Sequence, residues 1–362
     1  NMFDPISPGG FRVGYYMTYY KKFENKKYVY LVPSATYGIR NEDLKGTLRY
    51  RFMYDPYHLR QIYGYGGRQF NLINPYDAYL NMFRRSNFYE QDFIIAGHRM
   101  ELLNGLYLNT SFEISDRDAI ADYQFGDLSD EIFDNNTPID FESYISFSTL
   151  IGLDYTPKQK YLREPNEKVV LGSKWPTFSA DYKKGYTGPF GSIVDYDRIE
   201  FGIKQKHRLG VIGTAEWRVA SGTFLNRKDL RQVDYIFQRQ GDPFLYTNPF
   251  TTYQLLPVTF PTFDWYLEGH YLHRFNGVIM NKLPFIRKAG IRLVAGSSAL
   301  YAFENDFQHI EIFGGAERVF RFWKERFRIG VYYAAANSST GFSNGVKFSF
   351  EYHDKQNQSW NF

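Results

Sequence analysis

The sequence predicts a transmembrane antiparallel β-barrel of about 14 strands, in a range of 12 to 16. The main observation is that segments of about ten residues alternate apolar and polar side chains with period two. A spanning strand needs only about 9 to 11 residues, with one face toward lipid and the other toward the lumen. No stretch approaches about 18 consecutive apolar residues, which argues against helical membrane spans. The mean hydropathy of −0.47 fits strands that are polar on one face.

Alternation is clearest in residues 44–54, 263–275 and 326–336. The apolar faces are Leu44, Leu48, Tyr50, Phe52 and Tyr54; Phe263, Trp265, Leu267, Tyr271 and Phe275; and Phe327, Ile329, Val331 and Tyr333. The opposite faces are Lys45, Thr47, Arg49 and Arg51; Asp264, Glu268, His270 and Arg274; and Arg326, Arg328, Gly330 and Tyr332. A soluble β-sandwich alternates in the same way, so composition has to decide between the two.

The composition favours a barrel in a bacterial envelope. Aromatic residues make up 20% of the chain, with 32 Tyr and 34 Phe. Rings with an apolar body and a polar tip form girdles at membrane interfaces. The absence of Cys excludes thiolate zinc sites and disulfides, and a formal charge of +4 spread along the chain gives no nucleic-acid footprint.

We place fourteen strands by pattern, an even number as bacterial barrels require. They lie near residues 10–22, 27–39, 44–55, 88–102, 105–116, 142–155, 174–184, 193–207, 209–221, 262–277, 289–303, 307–322, 326–336 and 342–353.

The connections divide by parity into short periplasmic turns and long outward loops, as in outer-membrane barrels. The periplasmic turns are 41–43, 101–104, 206–208, 282–289 and 321–326. The outward loops are 55–87, 120–141, 185–192, 222–261 and 337–341. Residues 157–173 are long yet assigned inward, which predicts a short hairpin or a periplasmic excursion there. Within residues 74–83, Tyr76, Tyr79, Leu80 and Phe83 have helical spacing and predict a short amphipathic helix.

The sequence predicts no catalytic, cofactor-binding or metal-ligating residues. His270 and His273 point to opposite faces of a strand, which makes a shared metal improbable. A lipid hydrolase would need a Ser and a His, and His98 or His273 with Ser297 is the only pairing to consider. Nothing in the local sequence distinguishes them from girdle or lumen residues, so we expect no enzyme.

Charged residues on the predicted lumen face allow two interpretations. They either line a solute channel or pair across the lumen and fill it. These residues are Arg49, Arg51, Glu113, Arg198, Glu200, Lys204, Arg326 and Arg328.

Several segments resemble a family of Bacteroidota outer-membrane proteins of unknown function. They are residues 153–161, 164–166, 173–178, 196–199, 280–288, 330–333 and 345–350. The resemblance implies a barrel distantly similar to the surface-antigen class of BamA and TamA. Family members usually carry an N-terminal carboxypeptidase-regulatory-like domain. We expect residues 1–362 to form one barrel domain, with that upstream periplasmic domain and a secretory signal absent from this chain.

The surface-antigen class folds a late loop into the lumen through an Arg-Gly-aromatic motif. The candidate loop here, residues 222–261, contains the sequence Asp-Pro-Phe-Leu-Tyr-Thr-Asn-Pro at 242–249 and has no Arg-Gly pair. The resemblance therefore implies a role near outer-membrane assembly without that motif.

The leading hypothesis is a non-enzymatic scaffold or accessory subunit of an envelope complex for protein export or outer-membrane protein assembly. The expected location is the outer membrane of a Gram-negative cell. Expected partners are outer-membrane lipid, lipopolysaccharide and other outer-membrane or periplasmic proteins, with no nucleic acid and no cofactor. The alternative is an outer-membrane channel for small solutes.

Overall fold

The chain is all-β. The computed structural model describes residues 3–4, 10–78, 81, 84–123, 136–275, 290–323, 325–354 and 359–361. Within these ranges there are 22 β-strands, short 3-10 turns and no α-helix. Among the same residues, no helical segment is long and apolar enough to cross a membrane.

The strands are numbered in chain order. They are β1 (Phe3–Asp4), β2 (Arg12–Tyr16), β3 (Tyr19–Lys22), β4 (Tyr28–Gly38), β5 (Asp43–Asp55), β6 (Arg60–Leu72), β7 (Phe88–Leu103), β8 (Leu106–Asp118), β9 (Tyr144–Tyr155), β10 (Lys160–Arg163), β11 (Lys168–Gly172), β12 (Thr177–Gly185), β13 (Asp195–Arg208), β14 (Gly213–Asp229), β15 (Ile236–Phe237), β16 (Pro261–Thr262), β17 (Tyr266–Phe275), β18 (Ile291–Ala302), β19 (Phe307–Phe322), β20 (Glu325–Ser338), β21 (Gly341–Asp354) and β22 (Ser359–Asn361). The 3-10 turns are Arg85–Asn87, Pro189–Gly191, Gln232–Asp234 and Phe303–Asn305.

The first of two compact units comprises residues 1–75, 79–201 and 224–235. Its strands pair antiparallel with their neighbours in the run β2, β4, β5, β6, β7, β8, β9, β12. Strand β1 pairs with β2, β3 pairs with β4, and β10 with β11 forms a separate two-stranded hairpin.

The second unit comprises residues 76–78, 202–223 and 236–362. Its antiparallel run is β14, β17, β18, β19, β20, β21, with β22 paired to the end of β21. The short strands β15 and β16 pair with each other.

In both units the usual distribution of polarity is inverted. In β5 of the first unit, Leu44 is 71% exposed whereas Lys45 beside it is 4% exposed. In β19 of the second unit, Ile312 is 62% exposed whereas Glu311 is 1% exposed. Soluble proteins bury apolar side chains and expose charged ones. A sheet with apolar side chains outside and charged ones inside is the pattern of strands that face lipid.

The predicted alternation is confirmed in β20 and in β17, which begins at Tyr266, whereas Asp264 and Trp265 of the predicted segment are both exposed. In β5, Leu44 and Leu48 are exposed and Lys45 is buried, but Arg49 and Arg51 of the predicted polar face are exposed too. In β20, Ile329, Val331 and Tyr333 are exposed, while Arg328 and Tyr332 are buried. In β17, Leu267 and Tyr271 are exposed and His270 is buried.

The predicted strand number of fourteen is wrong. All fourteen predicted regions contain strands, but the structure adds β6, the β10–β11 hairpin and several strands of two or three residues. Strand β6 lies inside the predicted outward loop 55–87, and Gly64, Gly66 and Gly67 interrupt its alternation. Gly67 is required there, since its φ is +137° and an added Cβ would lie 2.1 Å from the carbonyl oxygen of Gly46.

The missed strand also makes the predicted side of one turn wrong. The prediction placed two strands between the turns 41–43 and 101–104, which would put both turns at the same end of the sheet. The structure has three strands there, β5, β6 and β7, because β6 lies inside residues 55–87. Successive antiparallel connections alternate between the two ends of a sheet. Residues 41–43 therefore lie at the same end as the loop 185–192, and the turn at 56–59 lies at the opposite end.

Two other predictions concern connections. The hairpin predicted within residues 157–173 is confirmed as β10–β11. The predicted helix at 74–83 depends on Tyr79, Leu80 and Phe83, which lie outside the described residues, as does the turn 282–289. Residues 74–78 have no helical conformation.

Aromatic rings on the buried face lie over glycines of adjacent chain segments. In the first unit, a Cβ on Gly97 would lie 2.3 Å from the ring of Tyr63. In the second unit, a Cβ on Gly315 would lie 2.4 Å from the ring of Tyr332. Separations below 3.0 Å leave no room for a side chain, so glycine permits the ring to lie flat against the backbone.

Candidate functional site

The candidate site is the connection between β14 and β17, residues 230–265, together with the buried polar side chains on which it lies. We call this connection the inner loop. It begins later than the predicted loop 222–261, because β14 continues to Asp229. The pair β15–β16 brings Phe237 and Pro261 together, so residues 238–260 form a closed excursion from a narrow base.

The start of the inner loop belongs to the first unit and is held by a buried ion pair. Asp234 accepts hydrogen bonds from Arg117 at 2.6 Å and 3.3 Å and from the Tyr196 hydroxyl at 3.0 Å. The Lys183 ammonium lies 3.7 Å from the same carboxylate. Arg117 also donates to Ser115 and to the Tyr144 hydroxyl. The two side chains of the pair are only 2% and 3% exposed, so both charges depend on each other.

The electrostatics of Asp234 show which effect dominates. Burial by itself raises the pKa of a carboxyl group because it penalises the charged form. Here the charges of Arg117 and Lys183, and hydrogen bonds from Arg117 and Tyr196, outweigh burial and lower the pKa of Asp234 to about 2. The carboxylate therefore stays ionised across the physiological range.

The rest of the inner loop belongs to the second unit, where Glu311 of β19 anchors it. The Glu311 carboxylate accepts the backbone N–H groups of Gln254 at 2.8 Å and Leu255 at 2.9 Å. A carboxylate that accepts two backbone N–H groups forms strong, charge-assisted hydrogen bonds. Glu311 therefore fixes the loop chain directly onto the sheet.

Strand β21 provides a second anchor. The Lys347 ammonium donates to the carbonyl oxygens of Asp242 and Pro243. Backbone hydrogen bonds join Tyr246 N to Phe348 O and Phe348 N to Phe244 O, both at 2.8 Å. The loop thus occupies backbone hydrogen-bonding groups on β21 as an added strand would.

Aromatic side chains of the loop fill the space above the sheet of the second unit. The ring of Tyr246 stacks on Tyr332 at 3.6 Å, and together they form a buried cluster with Leu272, Val294, Phe313 and Ala334. Tyr253 contacts the rings of His270 and His309 at 5.0 Å and 5.5 Å. The loop is therefore a packed part of the interior of this unit.

Within the described part of the chain, no hydrogen bond joins Ser297 to His98 or His273. His98 lies 2.7 Å from the Tyr54 hydroxyl. The ring nitrogens of His273 lie 3.1 Å from the Tyr271 hydroxyl and 3.2 Å from the Ile212 carbonyl. Ser297 is directly opposite Tyr271 in the β17–β18 register.

His270 and His273 lie on opposite faces, as predicted, since His270 is 3.0 Å from Ser298 and His273 contacts Tyr271. Across the described ranges, no group of three or more His, Asp or Glu side chains is placed to hold a metal ion.

Several predicted lumen charges form pairs. Arg328 contacts Glu351 and lies 3.6 Å from Glu317. Glu113 lies 3.8 Å from Arg117, and Arg198 lies 2.8 Å from Glu200. These contacts favour a filled interior over a lined channel for the residues involved.

The residues that hold the inner loop were not predicted as a site. Alternation places Arg117 and Glu311 on the polar faces of their strands, which was the only available signal. Their partners Asp234 and Gln254 lie in an irregular segment, and no local pattern indicates where such a segment docks.

We expect Glu311→Ala to loosen the inner loop. Two buried N–H groups would lose their acceptor, at a cost of roughly 2 kcal/mol, which corresponds to about thirtyfold more frequent opening. Limited chymotrypsin digestion, followed by mass spectrometry, should show faster cleavage after Tyr246, Phe250 or Tyr253. The matched control is Glu325→Ala at an exposed position of β20. Equal cleavage rates in both variants would contradict the anchoring role.

Comparison with known families assigns the chain. A family model described as the C-terminal domain of a family of unknown function, DUF5686, matches residues 2–316. The chain belongs to this family. The family is described as one of unknown function, so membership leaves the role open. No curated protein sequence matches the chain.

Comparison with solved structures gives matches at low sequence identity. BamA from Haemophilus ducreyi lacking POTRA domains 1–3 is similar with a TM-score of 0.54 and 10% identity, covering 95% of this chain and 67% of BamA. OccK11 (OpdR) from Pseudomonas aeruginosa gives a TM-score of 0.33 and 12% identity, covering 94% of this chain and 88% of OccK11. The likeness of this DUF5686 domain to BamA concerns the fold alone.

Proposed function

We propose that this chain is an integral β-barrel of the Gram-negative outer membrane. The inverted polarity of both units supports a lipid-facing exterior, because exposed branched and aromatic side chains belong against acyl chains. The fold-level likeness to BamA is compatible with this location. Outer-membrane lipid and lipopolysaccharide are the proposed surroundings.

Within that membrane, we propose a non-enzymatic scaffold or accessory subunit of an envelope complex for protein export or outer-membrane protein assembly. The observation that carries this proposal is the inner loop fixed on the polar face by Glu311, Lys347 and the stacked Tyr246. Because the packed loop fills the space over this face, a scaffold role fits better than solute conduction. The companions proposed are other outer-membrane or periplasmic proteins.

Planar-bilayer recording tests the proposal. The purified protein should insert without steady ion conductance, because the inner loop blocks the interior. Gentle detergent extraction of the native protein should in parallel recover stoichiometric companions. Recovery as a lone barrel would count against the scaffold role.

The alternative is an outer-membrane channel for small solutes. It is favoured by charged side chains on the polar face that are solvent-exposed, such as Arg49 and Lys204. A stable open pore in the same bilayer recording would support the channel and overturn the scaffold.

A further inference from the structure

The second unit contains a cavity that neither the fold nor the proposed scaffold role explains. Its volume is about 550 Å³. Four basic side chains line it: Lys206, Arg274, Arg292 and Arg328. Cavities that bind small molecules have volumes of about 300–1,000 Å³.

The cavity lies at one end of the sheet of this unit. Lys206 is near the end of β13 and Arg274 near the end of β17, while Arg292 and Arg328 are near the starts of β18 and β20. In an antiparallel sheet these positions lie at the same end, next to the turns that join the strands. Side chains from separate strands thus converge on one space.

Two of the four cations are committed to carboxylates. Lys206 is paired with Glu216, and Arg328 is paired with Glu351 and lies 3.6 Å from Glu317. These contacts neutralise the corresponding part of the cavity wall.

The other two cations are less closely paired. Arg274 has carboxylates only at 3.9 Å and 4.0 Å, and its buried Nε has no hydrogen-bond partner within the described part of the chain. Arg292 makes no ion pair within 4.0 Å among those residues, and it is exposed to solvent. Since guanidinium groups bind oxyanions through two parallel donors, both arginines can still bind an anion.

The inner loop supplies further donors. The hydroxyl groups of Tyr246 and Thr247, which line the cavity, are buried and have no hydrogen-bond partner among the described residues. Buried polar groups are almost always satisfied, so each indicates a missing partner. Burial raises the pKa of the Tyr246 phenol well above its usual range, which keeps its proton available for donation.

The number of donors indicates which class of anion the cavity can bind. Two guanidinium groups and two hydroxyl groups exceed what the two oxygens of a carboxylate accept well, whereas a phosphate group offers enough acceptor oxygens. The volume is larger than a phosphate ion requires, and Pro249 and Phe250 provide an apolar wall. We propose that this cavity binds the phosphate group of a small organic phosphate monoester, with Arg274 and Arg292 as the binding cations.

Isothermal titration calorimetry of the detergent-solubilised full chain tests this proposal. The probes are inorganic phosphate, glycerol 3-phosphate and phenyl phosphate. We expect saturable binding to one site, tighter for the esters because their organic part contacts Phe250. If glycerol 3-phosphate binds better than phenyl phosphate, a lipid-headgroup source is favoured. If phenyl phosphate binds better, a soluble aromatic ester is favoured.

Variants decide whether the named residues form the site. The double variant Arg274→Gln, Arg292→Gln should weaken ester binding at least tenfold, and Tyr246→Phe should weaken it severalfold while keeping the stack on Tyr332. The matched control is Arg318→Gln, since Arg318 is exposed and follows the buried Glu317 on the opposite face of β19.

Absence of saturable heat with all three probes would overturn the proposal, as would unchanged binding in the double variant. Binding of inorganic phosphate without the esters would overturn the assignment to a monoester. None of these outcomes depends on whether the interior conducts ions, so the scaffold proposal is tested separately.

Discussion

Replacing residues 238–260 by Asn-Gly should convert a non-conducting protein into one with steady ion conductance. The base of the inner loop is already a strand pair, with Ile236 opposite Thr262 and Phe237 opposite Pro261, so a two-residue turn can close it. The deletion removes Tyr246, Gln254 and Leu255, and with them the material that covers the polar face of the second unit. Single-channel recording in planar bilayers measures the effect.

The control deletion should leave the protein closed. Residues 157–176, which include the β10–β11 hairpin, are replaced by Asn-Gly between Thr156 and Thr177, whose hydroxyl groups are 2.9 Å apart. Heat-modifiable migration on gels verifies that both variants are folded. A folded loop-deletion protein that remains electrically silent would refute the blocking role of the inner loop.

Asp234→Ala should destabilise the protein by about 3–5 kcal/mol, because it leaves the buried Arg117 guanidinium without its closest counter-charge and with only Glu113 at 3.8 Å. Arg117 is 2% exposed and cannot turn to water without unpacking Tyr144. The free energy of unfolding, from urea titration followed by tyrosine and tryptophan fluorescence, measures the loss.

Two further variants separate the ion pair from general packing effects. The double variant Arg117→Met, Asp234→Leu removes both charges and should recover most of the lost stability, since apolar replacements of a buried pair are often neutral. Asp92→Ala breaks the exposed pair with Arg68 in the same unit and should cost no more than about 1 kcal/mol. If Asp234→Ala is no more harmful than Asp92→Ala, the pair does not hold the loop.

The strands were largely predictable because their signal is local. Alternation at Leu44 to Tyr54 or Phe327 to Tyr333 depends only on residues that are close in the chain, and both segments are strands. Strand β6 was not predicted because contacts with a neighbouring strand require its glycines: Gly64 lies under Tyr50 and Gly67 lies against Gly46. A residue type that is required by a contact distant in sequence does not follow the local alternation of polar and apolar residues.

The site was not predictable for the same reason. Gln254 meets Glu311 across 57 residues, and Arg117 meets Asp234 across 117 residues. The sequence identifies the loop by its length and by Pro, Asn and aromatic content, but docking depends on which buried side chains lack partners. That information exists only once the sheet has formed.

The rings that lie over glycines show that part of the aromatic content of this chain serves strand pairing. Tyr63 lies over Gly97 and is half-buried, and Tyr332 lies over Gly315 and is buried. The pair Tyr63–Gly97 fits only one alignment of its two strands, because a slip by one residue would press the ring against the Cβ of Ala96 or His98. A substitution that enlarges the glycine should therefore be tolerated only when the opposing ring is also replaced by a smaller side chain.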